Sequence, residues 1–194
     1  MSKLKKTFYT RNDVVQIAKD LLGKFIITDL NGEGKTGGII VETEAYAGIT
    51  DRASHAYGNR RTKRTEIMFM EGGVAYVYLC YGIHSLFNIV TNKKDIPEAV
   101  LIRAIKPVEG IDVMLQRVNK KKMQDKFGIG PGNVSKLLGI HFSQSGESLL
   151  RDKMWLEDRG LSVSPDEIIT GARVGVEYAK EDATLPYRFQ IKIC

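Results

Sequence analysis

The chain has 194 residues, 43% of them hydrophobic and 27% charged. A chain of this length buries roughly 70% of its unfolded surface, so it requires no metal or disulfide staple, and its composition argues against disorder. Lys and Arg outnumber Asp and Glu 29 to 23, for a net charge of +6, which suits a polyanionic partner without demanding one. The two cysteines, Cys80 and Cys194, belong to no CxxC or His/Cys cluster, so no metal site and no disulfide framework is expected. No apolar run approaches the roughly 20 residues of a membrane span. The basic start, residues 1–6, lacks the apolar core of a signal peptide. These features point to the cytoplasm.

In chain order, Asn12 is placed to cap a helix carrying Val14, Val15, Ile17, Ala18, Leu21 and Leu22, and Gly23 to end it. Residues 24–30 and 38–46 form β-prone runs around the turn Asn31-Gly32-Glu33-Gly34, which predicts a hairpin. Residues 47–66 are polar and read as a loop bearing Arg52, Arg60, Arg61, Lys63 and Arg64. Three β-prone runs follow at 74–81, 86–90 and 99–105, which predicts an antiparallel meander. Residues 109–118 have helical spacing, and Lys120-Lys121-Lys122 reads as a solvated charge run. The glycine-rich stretch 128–132 leads into a helix over 133–138. Short strands and turns fill the remainder. One α+β domain spanning 1–194 is the simplest organisation.

Four features could carry chemistry. Glu42, Glu44 and Tyr46 alternate along one strand and share a face. Such a face is ordinarily solvated, with Val41, Thr43 and Ala45 inward; the alternative is a general base beside an aromatic platform. Tyr76, Tyr78 and Tyr81 fall within six residues; strand aromatics usually pack the core, but these could also stack on bases, and Tyr81, before Gly82, could serve as a wedge. His55 sits in a loop, where it matters only if it reaches a base pocket. The backbone amides around 128–132, with Lys136, could hold a phosphate, although the order of a nucleotide P-loop is absent.

Together, Glu42-Thr43-Glu44-Ala45-Tyr46, Ser54-His55-Ala56, Met68-Phe69-Met70, Tyr76-Val77-Tyr78-Leu79-Cys80-Tyr81-Gly82, Asn88, Leu101-Ile102-Arg103-Ala104, Gly130-Pro131-Gly132 and Ala172-Arg173-Val174-Gly175 resemble, in that order, the alkyladenine (3-methyladenine, or methylpurine) DNA glycosylases, from about residue 8 to about residue 190. The resemblance implies an α+β domain with a curved antiparallel sheet, surrounding helices and a protruding β-hairpin that inserts into DNA. It implies Glu44 as the general base, with Arg103 and the backbone carbonyl of Val174 helping to hold the water. It further implies a base pocket of Tyr46, His55, Tyr78 and Asn88, a wedge at Tyr81 and a supporting role for Tyr76. Arg60, Arg64 and Lys136 are candidates for backbone phosphates. No cofactor is implied; the partner is double-stranded DNA containing damaged purines, and a monomer in the cytoplasm, at nucleoid DNA, is expected. After Tyr81-Gly82 the sequence Ile83-His84-Ser85-Leu86-Phe87 departs from the aromatic or methionine character of some relatives, which bears on the hairpin tip. A single-strand-binding module and a nucleoside hydrolase are the alternative readings.

Overall fold

The strand bearing Glu42 and Glu44 runs through the middle of the sheet. In the computed structural model, which describes residues 2–30 and 32–192, the strands are β1 (Ser2–Lys3), β2 (Phe25–Thr28), β3 (Thr36–Tyr46), β4 (Val74–Cys80), β5 (His84–Thr91), β6 (Glu98–Glu109), β7 (Met154–Asp158), β8 (Ile169–Gly171) and β9 (Arg188–Gln190). The helices are α1 (Lys6–Tyr9), α2 (Val14–Asp20), α3 (Ile111–Arg117) and α4 (Pro131–Leu138). The strands form one curled antiparallel sheet in the order β1-β7-β2-β3-β6-β5-β4, with β8 and β9 joined alongside β3. The expected α+β class therefore holds.

β3 changes partner along its length. Its first residues pair with β2, from Thr28↔Thr36 to Phe25↔Ile39, and Glu42, Thr43 and Glu44 pair with β9 on the same edge. β6 runs along its other edge throughout. A strand hydrogen-bonded on both edges and covered on both faces leaves little solvent contact, and Thr43, Glu44 and Ala45 are all buried.

The hairpin between β2 and β3 and the β4-β5-β6 meander form as the sequence predicts; Asn31 of the first turn lies outside the described residues. Alternation gives the meander two buried faces. Ala75, Val77, Phe87, Ile89, Val100 and Ile102 enter the main core with Val14, Ile17 and Ala18 of α2 and Val134, Leu137 and Leu138 of α4. Tyr76, Val90 and Ala99 face the other way and pack with Ala56, Met68 and Phe69 in a smaller cluster. Loop 47–66 closes over that second face through short 3₁₀ turns at Gly48–Thr50 and Tyr57–Asn59.

Two boundaries differ from expectation. Asp13, not Asn12, caps α2: its carboxylate accepts the Gln16 N–H at 2.9 Å. The stretch from residue 109 is not helical at its start, because β6 continues to Glu109 and α3 begins at Ile111. Gly110 makes the break at φ +67°, where a Cβ would lie 2.1 Å from the Lys35 carbonyl oxygen. The lysines at 120–122 are exposed, as read. Among the described residues no helix is long and apolar enough to cross a membrane.

An N-cap is worth typically about 1 kcal/mol. Asp13→Ala should therefore lower the unfolding free energy by about that amount in urea titration, whereas Asn12→Ala, at an exposed position without that bond, should change it by less than about 0.5 kcal/mol.

Candidate active site

Between the pairs Thr43↔Ile102 and Glu42↔Ala104, β6 carries one residue more than β3, and that residue is Arg103. Such a bulge re-aims a side chain. Arg103 Nε lies 3.0 Å from Glu42 Oε1 and 3.4 Å from Glu44 Oε1. The solvated strand face is thus corrected: both carboxylates are buried, Glu44 completely, because β9 and residues 172–176 cover the edge that a simple hairpin would expose.

Each Glu44 oxygen is satisfied. Oε1 accepts the Val174 N–H at 2.8 Å, and Oε2 accepts the Tyr46 hydroxyl at 2.9 Å. Burial pushes the Glu44 carboxyl above the usual range, while the Arg103 guanidinium, the Val174 N–H and the Tyr46 hydroxyl pull it back. Glu42 has a different set of partners, Arg103 and Arg188, the latter at 3.4 Å. Geometry therefore separates two carboxylates that composition cannot. Tyr46, Arg103 and Val174, the three groups touching Glu44, all line one cavity of about 200 Å³, and Glu44 stands immediately behind them.

The cavity is aromatic and polar. Besides Tyr46 it is lined by His55, Tyr78 and Asn88, the other residues expected in the pocket, and by Tyr76, expected only in a supporting role. The His55 and Tyr78 rings meet edge to face, centroids 4.6 Å apart, and His55 Nδ1 lies 2.9 Å from the Tyr76 hydroxyl. Tyr76 is thus a buried brace for His55. Burial and the nearby Arg64 and Arg60 lower the His55 pKa from 6.5 to about 4, so the ring is neutral at physiological pH. The Asn88 amide nitrogen donates to the carbonyls of Tyr76 and Leu86, both at 3.2 Å, which pins the side chain.

Tyr81 occupies the tip of the β4–β5 hairpin, 93% exposed and at φ +50°. Ile83, across the turn, is exposed as well. A second depression, of about 340 Å³, adjoins the first, shares His55 and Tyr178 with it and is lined by Arg52, Arg60 and Arg64. Arg64 also lies over the Tyr78 ring at 4.9 Å. Lys136 is exposed on α4 and lines neither cavity. The glycine-rich stretch serves packing: a Cβ on Gly128 would lie 2.2 Å from the Ile105 carbonyl oxygen, and Gly130-Pro131 starts α4 with Pro131 in the cavity wall.

Sequence reasoning missed Asp51, Arg173, Arg188 and Tyr178. Asp51 sits in a polar loop and looks solvated, yet it forms a fully buried ion pair with Arg173. Arg188 reaches Glu42 only because β9 joins β3. Arg173 stood within a motif that carried its own signal, as an arginine between small and apolar residues.

Residues 7–194 match the family model described as methylpurine-DNA glycosylase. Relatives with the inferred name 3-methyladenine DNA glycosylase are similar over nearly their whole length. The one from Clostridium novyi (strain NT) is 43% identical, covering 99% of this chain and 96% of its own. The one from Chlamydia abortus is 43% identical over 98% of both chains, and that from Oceanobacillus iheyensis is 42% identical over 97% and 91%.

The low His55 pKa has a measurable consequence. Between about pH 4 and 6.5 the unfolded chain binds the proton that folded His55 refuses, so this contribution to stability is complete above pH 6.5 and is lost as pH falls toward 4. His55→Gln should flatten the stability-versus-pH curve in that window, and the His55 imidazole signal of the folded protein, assigned by its loss in that variant, should show no titration near pH 6.5 by NMR.

Proposed function

The chain belongs to the methylpurine-DNA glycosylase family, and on that premise we propose that Glu44 deprotonates the water that releases a damaged purine flipped from duplex DNA. The family makes the protein a DNA glycosylase, a hydrolase of N-glycosyl bonds that acts in DNA repair. The observation that carries the mechanism is the placement of Glu44: a buried carboxylate whose three contacts form one wall of the aromatic cavity.

The target bond is unreachable inside a base stack, so the nucleotide is extruded. Tyr81, projecting from the hairpin tip, fills the space it leaves. The purine enters between Tyr46, His55 and Tyr78. A 3- or 7-alkylated base carries positive charge and is attracted to aromatic faces, and a neutral His55 spares it a repelling cation. Asn88, pinned by two carbonyls, crowds the exocyclic amino group of guanine.

The C1′–N bond breaks with its electrons leaving on the purine, which produces an oxocarbenium-like sugar. The water oxygen bonds to C1′ and its proton passes to Glu44. Arg103 and the Val174 carbonyl orient the water, and the Glu44 charge stabilises the cationic sugar. A cationic purine leaves without an acid, so one carboxylate suffices. Neutral lesions such as hypoxanthine and ethenoadenine need a proton on the base, whereas 3-methyladenine and 7-methylguanine do not. The product is an intact abasic site, because among the described residues no lysine lines the cavity to form a Schiff base. Arg60 and Arg64 lie on the basic side of the pocket and meet backbone phosphates, with Lys136 as an outer contact. The protein works as a single-domain monomer on nucleoid DNA in the cytoplasm.

General-base catalysis contributes about 10²- to 10⁴-fold. In single-turnover assays on duplexes carrying 7-methylguanine or ethenoadenine, Glu44→Gln should lose excision by at least about 100-fold while still binding lesion DNA. Glu42→Gln should retain more activity, since it touches Glu44 only through Arg103. Full-rate excision by Glu44→Gln would sink the mechanism. Tyr81→Ala should weaken lesion affinity and slow excision; if neither changes, the wedge role is wrong.

A further inference from the structure

The Asp51–Arg173 pair lies outside the groups that line the cavity, yet it adjoins two groups that contact Glu44: Val174, the residue after Arg173, and Tyr46, whose ring lies against the guanidinium. Both side chains are buried. Arg173 donates to Asp51 Oδ2 at 2.5 Å and Oδ1 at 2.8 Å, a bidentate fork. The same guanidinium donates to the Ala45 carbonyl, between Glu44 and Tyr46, at 2.9 Å, and to the Asp182 carbonyl at 3.1 Å. Its Cζ lies 4.9 Å from the Tyr46 ring centroid. Asp51 in turn accepts the backbone N–H groups of Ala47 and Ala53, at 2.9 and 3.0 Å, and so shapes the loop that delivers His55.

A buried ion pair is a weak source of stability, because desolvation offsets the attraction; its better-attested use is to fix one arrangement. We propose that the Asp51–Arg173 pair is the positioning device of the active site, holding the Val174 N–H and the Tyr46 hydroxyl against Glu44. Val174 follows Arg173 directly, so the four hydrogen bonds that pin the guanidinium also fix where the Val174 N–H points. This inference rests on Glu44 as the base. The groups facing Glu44 are Arg103 from β6, Glu42 and Tyr46 from β3, Arg188 from β9, and Arg173 and Tyr178 from the C-terminal segment. Losing the pair removes a cation and an anion together and loosens the Val174 and Tyr46 hydrogen bonds, both of which favour ionised Glu44, so its carboxyl titrates higher.

The test is the pH profile of single-turnover excision from a 7-methylguanine duplex, whose leaving group is already charged, so that the acid limb reports Glu44. Two variants guard against unfolding. Arg173→Lys keeps the charge but loses the fork, and Asp51→Leu with Arg173→Met removes both charges together and leaves neither buried alone. Each should bind the lesion duplex within about threefold of the parent, excise at least about tenfold more slowly, and in the double variant show an acid limb about one pH unit higher, the size of one lost hydrogen bond to a charged group. Folded variants that excise at the parent rate with an unmoved acid limb overturn the proposal. Failure of both to fold overturns it too, since the pair is then a folding element. Glu44→Gln run in parallel separates the two ideas: activity retained there refutes the base itself, whereas activity lost there and kept in the pair variants refutes only the positioning role.

Discussion

The constraint on which the rest of the structure depends is the complete burial of one carboxylate, Glu44, in the middle of a sheet. An ionised carboxylate taken out of water costs several kcal/mol even after the protein relaxes around it. The protein meets this cost with a bulge in β6 that turns Arg103 inward, a chain segment that brings a backbone N–H from Val174, and a tyrosine two residues further along the same strand. Each device is also a wall of the cavity, so the groups that make burial tolerable are the groups a substrate would meet. Stabilisation and chemistry here use the same atoms.

Charge balance extends beyond Glu44. Glu42 is buried beside Arg103 and Arg188, and Asp51 is buried against Arg173. Three acids and three arginines thus sit beneath an aromatic surface. The network is anchored on rigid elements at one end, β3 and β6, and on irregular chain at the other, residues 47–56 and 172–182. Such a division suits the proposed roles, a base held in fixed geometry beside room for an extruded nucleotide. The aromatic braces follow the same logic: Tyr76, itself buried, fixes His55, and His55 meets Tyr78 edge to face.

The surface around this centre changes character over a short distance. Tyr81 and Ile83 stand exposed on a tight hairpin turn, and the depression lined by Arg52, Arg60 and Arg64 adjoins the cavity across His55. An apolar tip beside a basic wall matches duplex DNA, which offers a stack to enter and phosphates to neutralise. The net charge of +6 is therefore less informative than its distribution, since Lys120, Lys121 and Lys122 are simply exposed, while Arg103 and Arg173 are engaged internally.

Much of this was legible in the sequence, for local reasons. The β-branched and aromatic runs with their turns specify β2 through β6, because side-chain alternation and turn chemistry act between neighbours in the chain. The order of motifs identifies the family, and with it Glu44, Tyr46, His55, Tyr78, Tyr81, Asn88, Arg103 and Val174 as candidates. Tertiary structure decided the rest. Glu44 on an alternating strand looks wet until β9 and residues 172–176 close over it, and those segments lie more than 120 residues away. Asp51 and Arg173 are likewise 122 residues apart, and neither carries a local pattern that names the other. Burial, and the ion pairs that burial requires, depend on which distant segments meet, and no spacing along the chain encodes that.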